Sequence, residues 1–81
     1  MYWDAVSVKP LENFFIAVSL RDGSHGAFDM KPYLDIGVFQ ELRDPAYFDR
    51  VDIQFGAVTW PNGQDIAPET LHARITATEN A

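Results

Sequence analysis

The first indication of the fold comes from residues 14–24, which read Phe14-Phe15-Ile16-Ala17-Val18-Ser19-Leu20-Arg21-Asp22-Gly23-Ser24. Large apolar side chains alternate here with smaller or polar ones, and this period of two predicts a β-strand with one buried face. Asp22-Gly23 follows the strand directly. This dipeptide is typical of a tight hairpin, because a type I′ turn needs positive φ at both central positions. We therefore expect a second strand to run from Ser24 to Phe28 or Asp29.

Further strands are predicted on both sides of this hairpin. One precedes it and ends at Pro10, since proline cannot donate to a sheet. Two follow in the last third of the chain. In residues 51–55, valine, isoleucine and phenylalanine alternate with polar residues, and residues 57–60 form another short run. Gly56 between them indicates a turn or a bulge, so we expect about five short strands in all.

Helical patterns occupy the middle and the end of the chain. Residues 31–48 have the spacing of one or two short helices, and Asp44 before a proline is typical of a helix start. Pro68 begins a final helix, in which Leu71 and Ile75 share one face. The order of these elements predicts an α+β fold, with an antiparallel sheet and two or three short helices.

The length and composition predict one small folded domain over residues 1–81. A chain of 81 residues encloses one hydrophobic core, and 47% apolar content with 11 aromatic residues argues against disorder. The absence of cysteine excludes disulfides and thiolate metal sites. A domain of this size is marginally stable without further support. We therefore predict a homodimer and expect no cofactor.

The charge of the chain bears on its partners. Twelve acidic and six basic residues give a net charge of −6, and the basic residues do not cluster, which argues against direct nucleic-acid binding. The same charge favours a basic protein partner, although it can equally serve solubility alone. The N-terminus lacks a signal-peptide pattern, and no apolar run is long enough to span a membrane. A cytoplasmic location is expected.

A longer motif in the second half carries a resemblance to a known family. The segment is Trp60-Pro61-Asn62-Gly63-Gln64-Asp65-Ile66-Ala67-Pro68-Glu69-Thr70-Leu71. With the residues before it, this segment resembles the small bacterial proteins of domain-of-unknown-function family 2442. The resemblance implies a compact α+β domain of bacterial origin. Some relatives carry a helix-turn-helix domain after this one, and others are encoded beside a second short protein, as in toxin–antitoxin pairs. About ten residues follow Leu71 here, too few for a helix-turn-helix.

The motif has two interpretations. In the first, Trp60 is an aromatic anchor and the turn after it presents Asn62, Gln64 and Asp65 to a partner, because Trp is the residue most enriched at interface hot spots. In the second, Trp60 belongs to the core and the following residues form a turn and a helix start. Exposed aromatic residues at the N-terminus, Tyr2 and Trp3, are also candidates for contact with another chain.

Catalytic interpretations have less support from the sequence. Asp29 and Asp65 are the carboxylate pair to inspect, yet their spacing gives no sign that they meet, and acid–base catalysis needs both within reach of a substrate. His25 and His72 lack a second ligand at metal-binding spacing. The leading hypothesis is a protein-interaction module, with the acidic member of an operon-encoded pair as one form. The alternatives are a regulatory adaptor without its DNA-binding domain and a small-molecule binder or hydrolase that uses Asp29 or Asp65.

Overall fold

The first sheet contains the predicted hairpin. The computed structural model describes residues 3–79, with the side chains of residues 3–75. Three antiparallel strands lie side by side in chain order: β1 (Ala5–Pro10), β2 (Phe15–Leu20) and β3 (His25–Asp29). A 3₁₀ segment at Glu12–Phe14 connects β1 to β2. Ile16, Val18 and Leu20 of β2 are each at most 2% exposed, which confirms that the alternation marks a buried face.

The turn of this hairpin differs from the predicted type I′ geometry. Gly23 has a φ of +94°, whereas Asp22 is outside the set of residues with positive φ. The Leu20 carbonyl accepts a hydrogen bond from Gly23 N (3.0 Å), and Leu20 N donates to the Ser24 carbonyl (2.8 Å), so the loop has three residues. The Asp22 carboxylate accepts from the backbone N and the hydroxyl of Ser24, at 2.9 and 2.6 Å. This side-chain bonding stabilises the longer loop.

Short helical segments follow β3. Two 3₁₀ segments, Lys31–Tyr33 and Gly37–Arg43, precede α1 (Pro45–Phe48). The Asp44 side chain accepts a hydrogen bond from Ala46 N at 3.1 Å, which confirms the predicted helix start. Most of this region is too irregular for long helices, and each segment is only one or two turns long.

A second sheet, separate from the first, contains the remaining strands. It is also antiparallel and in chain order: β4 (Asp52–Gln54), β5 (Ala57–Thr59) and β6 (Asp65–Ile66). Residues 3–79 therefore contain six strands in two sheets, where about five strands in one sheet were predicted. β6 was missed because two residues are too few to display an alternation. Ala5 N donates to the Gly56 carbonyl at 2.8 Å, and this hydrogen bond connects the two sheets.

The final helix completes the core. α2 (Pro68–Glu79) packs against the first sheet, mainly on β3, and its Leu71 and Ile75 are fully buried. These two residues join a continuous apolar cluster built from both sheets and the helical region. The cluster consists of Ala5, Ile16, Val18, Leu20, Phe28, Met30, Leu34, Leu42, Tyr47, Phe48, Val58, Trp60, Ile66, Leu71 and Ile75. The α+β class and the antiparallel arrangement are confirmed. Within residues 3–79, no helix combines the length and apolar character needed to cross a bilayer.

Truncation of Ile75 tests the role of α2 in this core. Ile75→Ala should lower the free energy of unfolding by about 2–5 kcal/mol, because the side chain is fully buried. The exposed neighbour Ala73 provides the control, and Ala73→Ser should change stability by no more than about 0.5 kcal/mol. Urea unfolding followed by circular dichroism measures both. Equal losses in the two variants would show that α2 is not anchored through this face.

Candidate interaction site

Trp60 lies in the interior and fixes the beginning of the motif. Its side chain is 3% exposed, and its indole Nε1–H donates to the Phe48 carbonyl at 2.9 Å. The Trp60 carbonyl accepts from Gly63 N at 3.0 Å, and Trp60 N donates to the Gln64 carbonyl at 2.9 Å. Residues 60–64 thus form a closed turn between β5 and β6. The predicted turn is confirmed, with Gly63 at a φ of +99° that favours glycine.

Gln64 is the buried polar side chain of the described core, with 2% of its surface exposed. Its Oε1 accepts a hydrogen bond from the Tyr47 hydroxyl at 2.7 Å. Its Nε2 donates to the Val38 carbonyl and to Glu41 Oε1, both at 2.9 Å. Both ends of the amide are therefore satisfied, which removes the cost of burying an unpaired polar group.

Asn62 extends this bonding to the surface. Its backbone N donates to the Tyr47 hydroxyl oxygen at 2.8 Å, and its Nδ2 donates to Glu41 Oε2 at 2.6 Å. We call the set Tyr47, Glu41, Asn62 and Gln64 the Gln64 network. Hydrogen bonds from Asn62, and then from Gln64, hold the pKa of the Glu41 carboxyl below its ordinary value. The network connects the turn at residues 60–64 to the helical region of residues 37–48.

The residues predicted as a contact surface differ in their exposure in the structure. Trp60 and Gln64 are buried, with 3% and 2% of their surface exposed, and the core interpretation of Trp60 replaces the anchor interpretation. The reason is that the indole and the amide both find hydrogen-bond partners inside. Asn62 and Asp65 remain exposed. Trp3 is half-buried and stacks on His72 with ring centroids 4.3 Å apart, and Tyr2 lies outside the described residues.

The candidate catalytic carboxylates lie on different sheets. Asp29 ends β3, where its Oδ1 accepts from Lys31 N at 2.9 Å and pairs with Lys31 Nζ at 3.1 Å. Asp65 belongs to β6 and lines a cleft that does not include Asp29. His72 Nε2 lies 3.3 Å from Asp22 Oδ2. Among the described residues, no group of three or more His, Cys, Asp or Glu side chains is placed to hold a metal ion.

The second sheet presents a polar outer face. Asp52 and Asp65 are each directly opposite Thr59, on its two sides, so the three side chains form one row across the sheet. The two aspartate backbones are about 10 Å apart, which is twice the strand spacing. Gln54 and Ala57 form the next row. A cleft of about 660 Å³ lies over this face, lined by Arg50, Asp52, Gln54, Phe55, Ala57, Thr59, Trp60, Pro61, Gly63 and Asp65.

Phe55 stands at the end of this face and was not identified from the sequence. The alternation in residues 51–55 placed it in a strand, but its side chain is fully exposed. Phe55 and Gly56 form the two-residue loop between β4 and β5, with φ values of +53° and +79°. Positive φ at both positions is the type I′ pattern. The strand predicted over residues 51–55 reached Gly56 directly and left no second residue for a two-residue turn. That was the signal that could have placed Phe55 in the turn. We call Asp52, Gln54, Phe55, Thr59 and Asp65 the β4–β6 face.

Gly56 explains why the loop cannot shift to bury Phe55. A Cβ at position 56 would overlap the Asp4 side chain, so the glycine brings the loop close to the N-terminal segment. The Gly56 carbonyl also accepts the hydrogen bond from Ala5 N. The loop is therefore fixed on the first sheet, and its phenylalanine points to solvent.

Replacement of Phe55 by asparagine should stabilise the domain. A left-handed conformation costs a phenylalanine about 1–2 kcal/mol and is tolerated better by asparagine, and the exposed ring contributes no burial in return. Phe55→Asn should raise the free energy of unfolding by about 1 kcal/mol, which is a rise of roughly 4–8 °C in Tm for a domain of this size. Thermal unfolding measures the change. Phe55→Ala removes the ring but keeps the backbone cost, so a gain as large as that of asparagine would contradict the explanation.

The Glu41 carboxylate should make the fold sensitive to acid. Its pKa is lower in the folded state than in the unfolded chain, so the unfolded chain binds protons first and stability falls as the pH decreases below about 5. Glu41→Gln should be less stable than the parent at pH 7, because an amide cannot accept from both neighbours, and should show a smaller decline between about pH 5 and 3. Urea midpoints measured across this range provide the comparison.

Asp22 gives a second, separable contribution to the acid sensitivity. Hydrogen bonds from Ser24, with a smaller effect of His72, also lower its pKa. Asp22→Asn should therefore reduce the decline independently of Glu41→Gln. A Glu41→Gln variant whose midpoints follow the parent curve at every pH would show that the Gln64 network does not depend on the charge of Glu41.

Comparison with known proteins places the chain in a family. A family model described as protein of unknown function (DUF2442) matches residues 5–77. No curated protein and no solved structure matches the chain. The family match covers most of the sequence and agrees with the family that the sequence motif had suggested. The chain therefore belongs to the DUF2442 family.

Proposed function

We propose that this protein is a protein-interaction module and that the β4–β6 face is its contact surface. The observation that carries the proposal is Phe55, a fully exposed aromatic ring in a left-handed backbone conformation. A residue that costs stability and adds nothing to the core is typical of a functional position, because function is the usual reason for departing from the stable choice.

The surroundings of Phe55 have the composition of an interface. Aromatic residues are enriched at the centres of protein–protein contacts, and polar side chains form the rim. Phe55 supplies the apolar area, and Asp52, Gln54, Thr59 and Asp65 supply the polar groups beside it. The cleft over them is partly open to solvent, so side chains of a partner protein can enter it.

The buried motif supports this use of the face. The Gln64 network holds β6 beside β5, and β6 places Asp65 in the row that contains Thr59. A contact surface on short strands needs such support, because groups that move freely lose entropy when a partner binds. The network therefore serves as the rigid base of the proposed surface.

The family and the charge support a proposal about the broader setting. We propose a bacterial, cytoplasmic protein that acts as the acidic member of a small operon-encoded pair, with its net charge of −6 guiding a basic partner. Homodimer formation remains a prediction, and a second copy would bring like charges together on this face. The hydrolase alternative has less support, because Asp29 is committed to Lys31 and does not share the cleft with Asp65.

Site-specific photocrosslinking tests the proposed surface. A benzophenone amino acid placed at position 55 should yield a covalent adduct with another protein in cells that naturally produce this chain. The matched control is Val6, an exposed apolar residue on the first sheet, where the same probe should give at least about fivefold less adduct. Equal adduct formation at both positions, or none at position 55, would contradict the assignment of this face.

A further inference from the structure

We infer that the partner presents a cationic segment to the β4–β6 face, with arginine or lysine side chains paired to Asp52 and Asp65 and lying against Phe55. The inference rests on the proposed function and names the chemistry of the partner. It follows from the charges on the face, from their spacing and from the aromatic ring at its end.

Asp65 is the clearest available charge. It is exposed at the edge of the second sheet, and its carboxylate forms no hydrogen bond or ion pair with any side chain among residues 3–75. A partner cation at this position gains a Coulomb interaction without displacing an existing one. The pairing is worth more once the interface excludes water, because the attraction grows as the local dielectric falls.

Asp52 and Arg50 define the opposite side of the cleft. One Asp52 carboxylate oxygen accepts from Ile53 N at 2.8 Å, which leaves the other oxygen for a partner. Arg50 also lines the cleft and brings one positive charge to it. Two carboxylates against one guanidinium leave the lining with an excess of one negative charge, in agreement with the net charge of −6. The excess favours a cationic partner over an acidic one.

The spacing suits an extended segment. In an extended chain, side chains two residues apart lie on the same face about 7 Å apart, and long basic side chains cover the remaining distance to carboxylates on backbones about 10 Å apart. Phe55 adds a face on which a guanidinium or the apolar stem of a lysine can lie. A second copy of this chain is a poorer occupant, because the same acidic row would face itself.

The test uses two short peptides and the 81-residue protein. An acetylated Gly-Arg-Gly-Arg-Gly amide is titrated into the ¹⁵N-labelled protein at about 20 mM salt, where surface charges are only weakly screened. The control peptide carries citrulline at both arginine positions, which keeps the shape and removes the charge. The arginine peptide should shift amide signals of residues 50–59 and 63–65, and the citrulline peptide should leave them unchanged.

Variants of matched charge localise the effect. Asp65→Asn and Phe55→Ala should each weaken binding of the arginine peptide about threefold or more, as expected for a partly exposed ion pair or cation–π contact. Glu12→Gln removes one exposed acidic charge from the 3₁₀ segment between β1 and β2, and should weaken binding by less than about 1.5-fold. Far-UV circular dichroism confirms that each variant is folded.

Three results would overturn the inference. One is a set of shifts spread over the whole surface with equal losses in Asp65→Asn and Glu12→Gln, since charge alone would then explain binding. Another is equal binding of the citrulline peptide. The third is an adduct at position 55 with a protein partner while the arginine peptide fails to shift the face. That outcome would leave the contact surface in place and reject the cationic partner.

Discussion

The buried amide of Gln64 is the interaction on which the arrangement of the second half depends. Its two ends are bonded to Tyr47, Glu41 and the Val38 carbonyl, three groups that belong to the helical region before β4. A buried amide is tolerated only when both ends are satisfied, because an unpaired one costs about 1–3 kcal/mol. Any rearrangement of the turn at residues 60–64 would therefore break several hydrogen bonds together.

The two faces of the second sheet have different roles. The inner side contributes Val58, Trp60 and Ile66 to the core, and the turn beside it is bonded to the helical region. The outer side contributes the row of Asp52, Thr59 and Asp65. The most distinctive part of the sequence thus stabilises the fold, while the proposed contact surface consists of residues with a much weaker sequence signal.

Local sequence patterns predicted the fold well where the pattern extended over enough residues to be recognised. The alternation from Phe14 onward located β2, and Asp44 and Pro68 located the starts of α1 and α2. The division into two sheets was not predictable, because tertiary packing decides which strands pair and a local sequence pattern does not record it. β6 was missed for its length of two residues.

The site was harder to predict than the fold, for physical reasons. The sequence left Trp60 open between an interface anchor and a core residue, and burial with a satisfied indole N–H decides for the core. Phe55 was assigned to a strand because residues 51–55 alternate with a period of two. The turn, however, begins at Phe55, one residue before Gly56. Asp65, a polar residue of the motif, is exposed, but its row with Asp52 required the strand register.

A double-mutant cycle between Tyr47 and Gln64 tests the central role of the Gln64 network most directly. Tyr47→Phe, Gln64→Leu and the double variant are compared with the parent protein by urea unfolding at pH 7. The hydrogen bond of 2.7 Å between the two side chains predicts a coupling free energy of about 1–3 kcal/mol, with the double variant losing clearly less than the sum of the single losses. Strictly additive losses, or single variants as stable as the parent, would contradict the account.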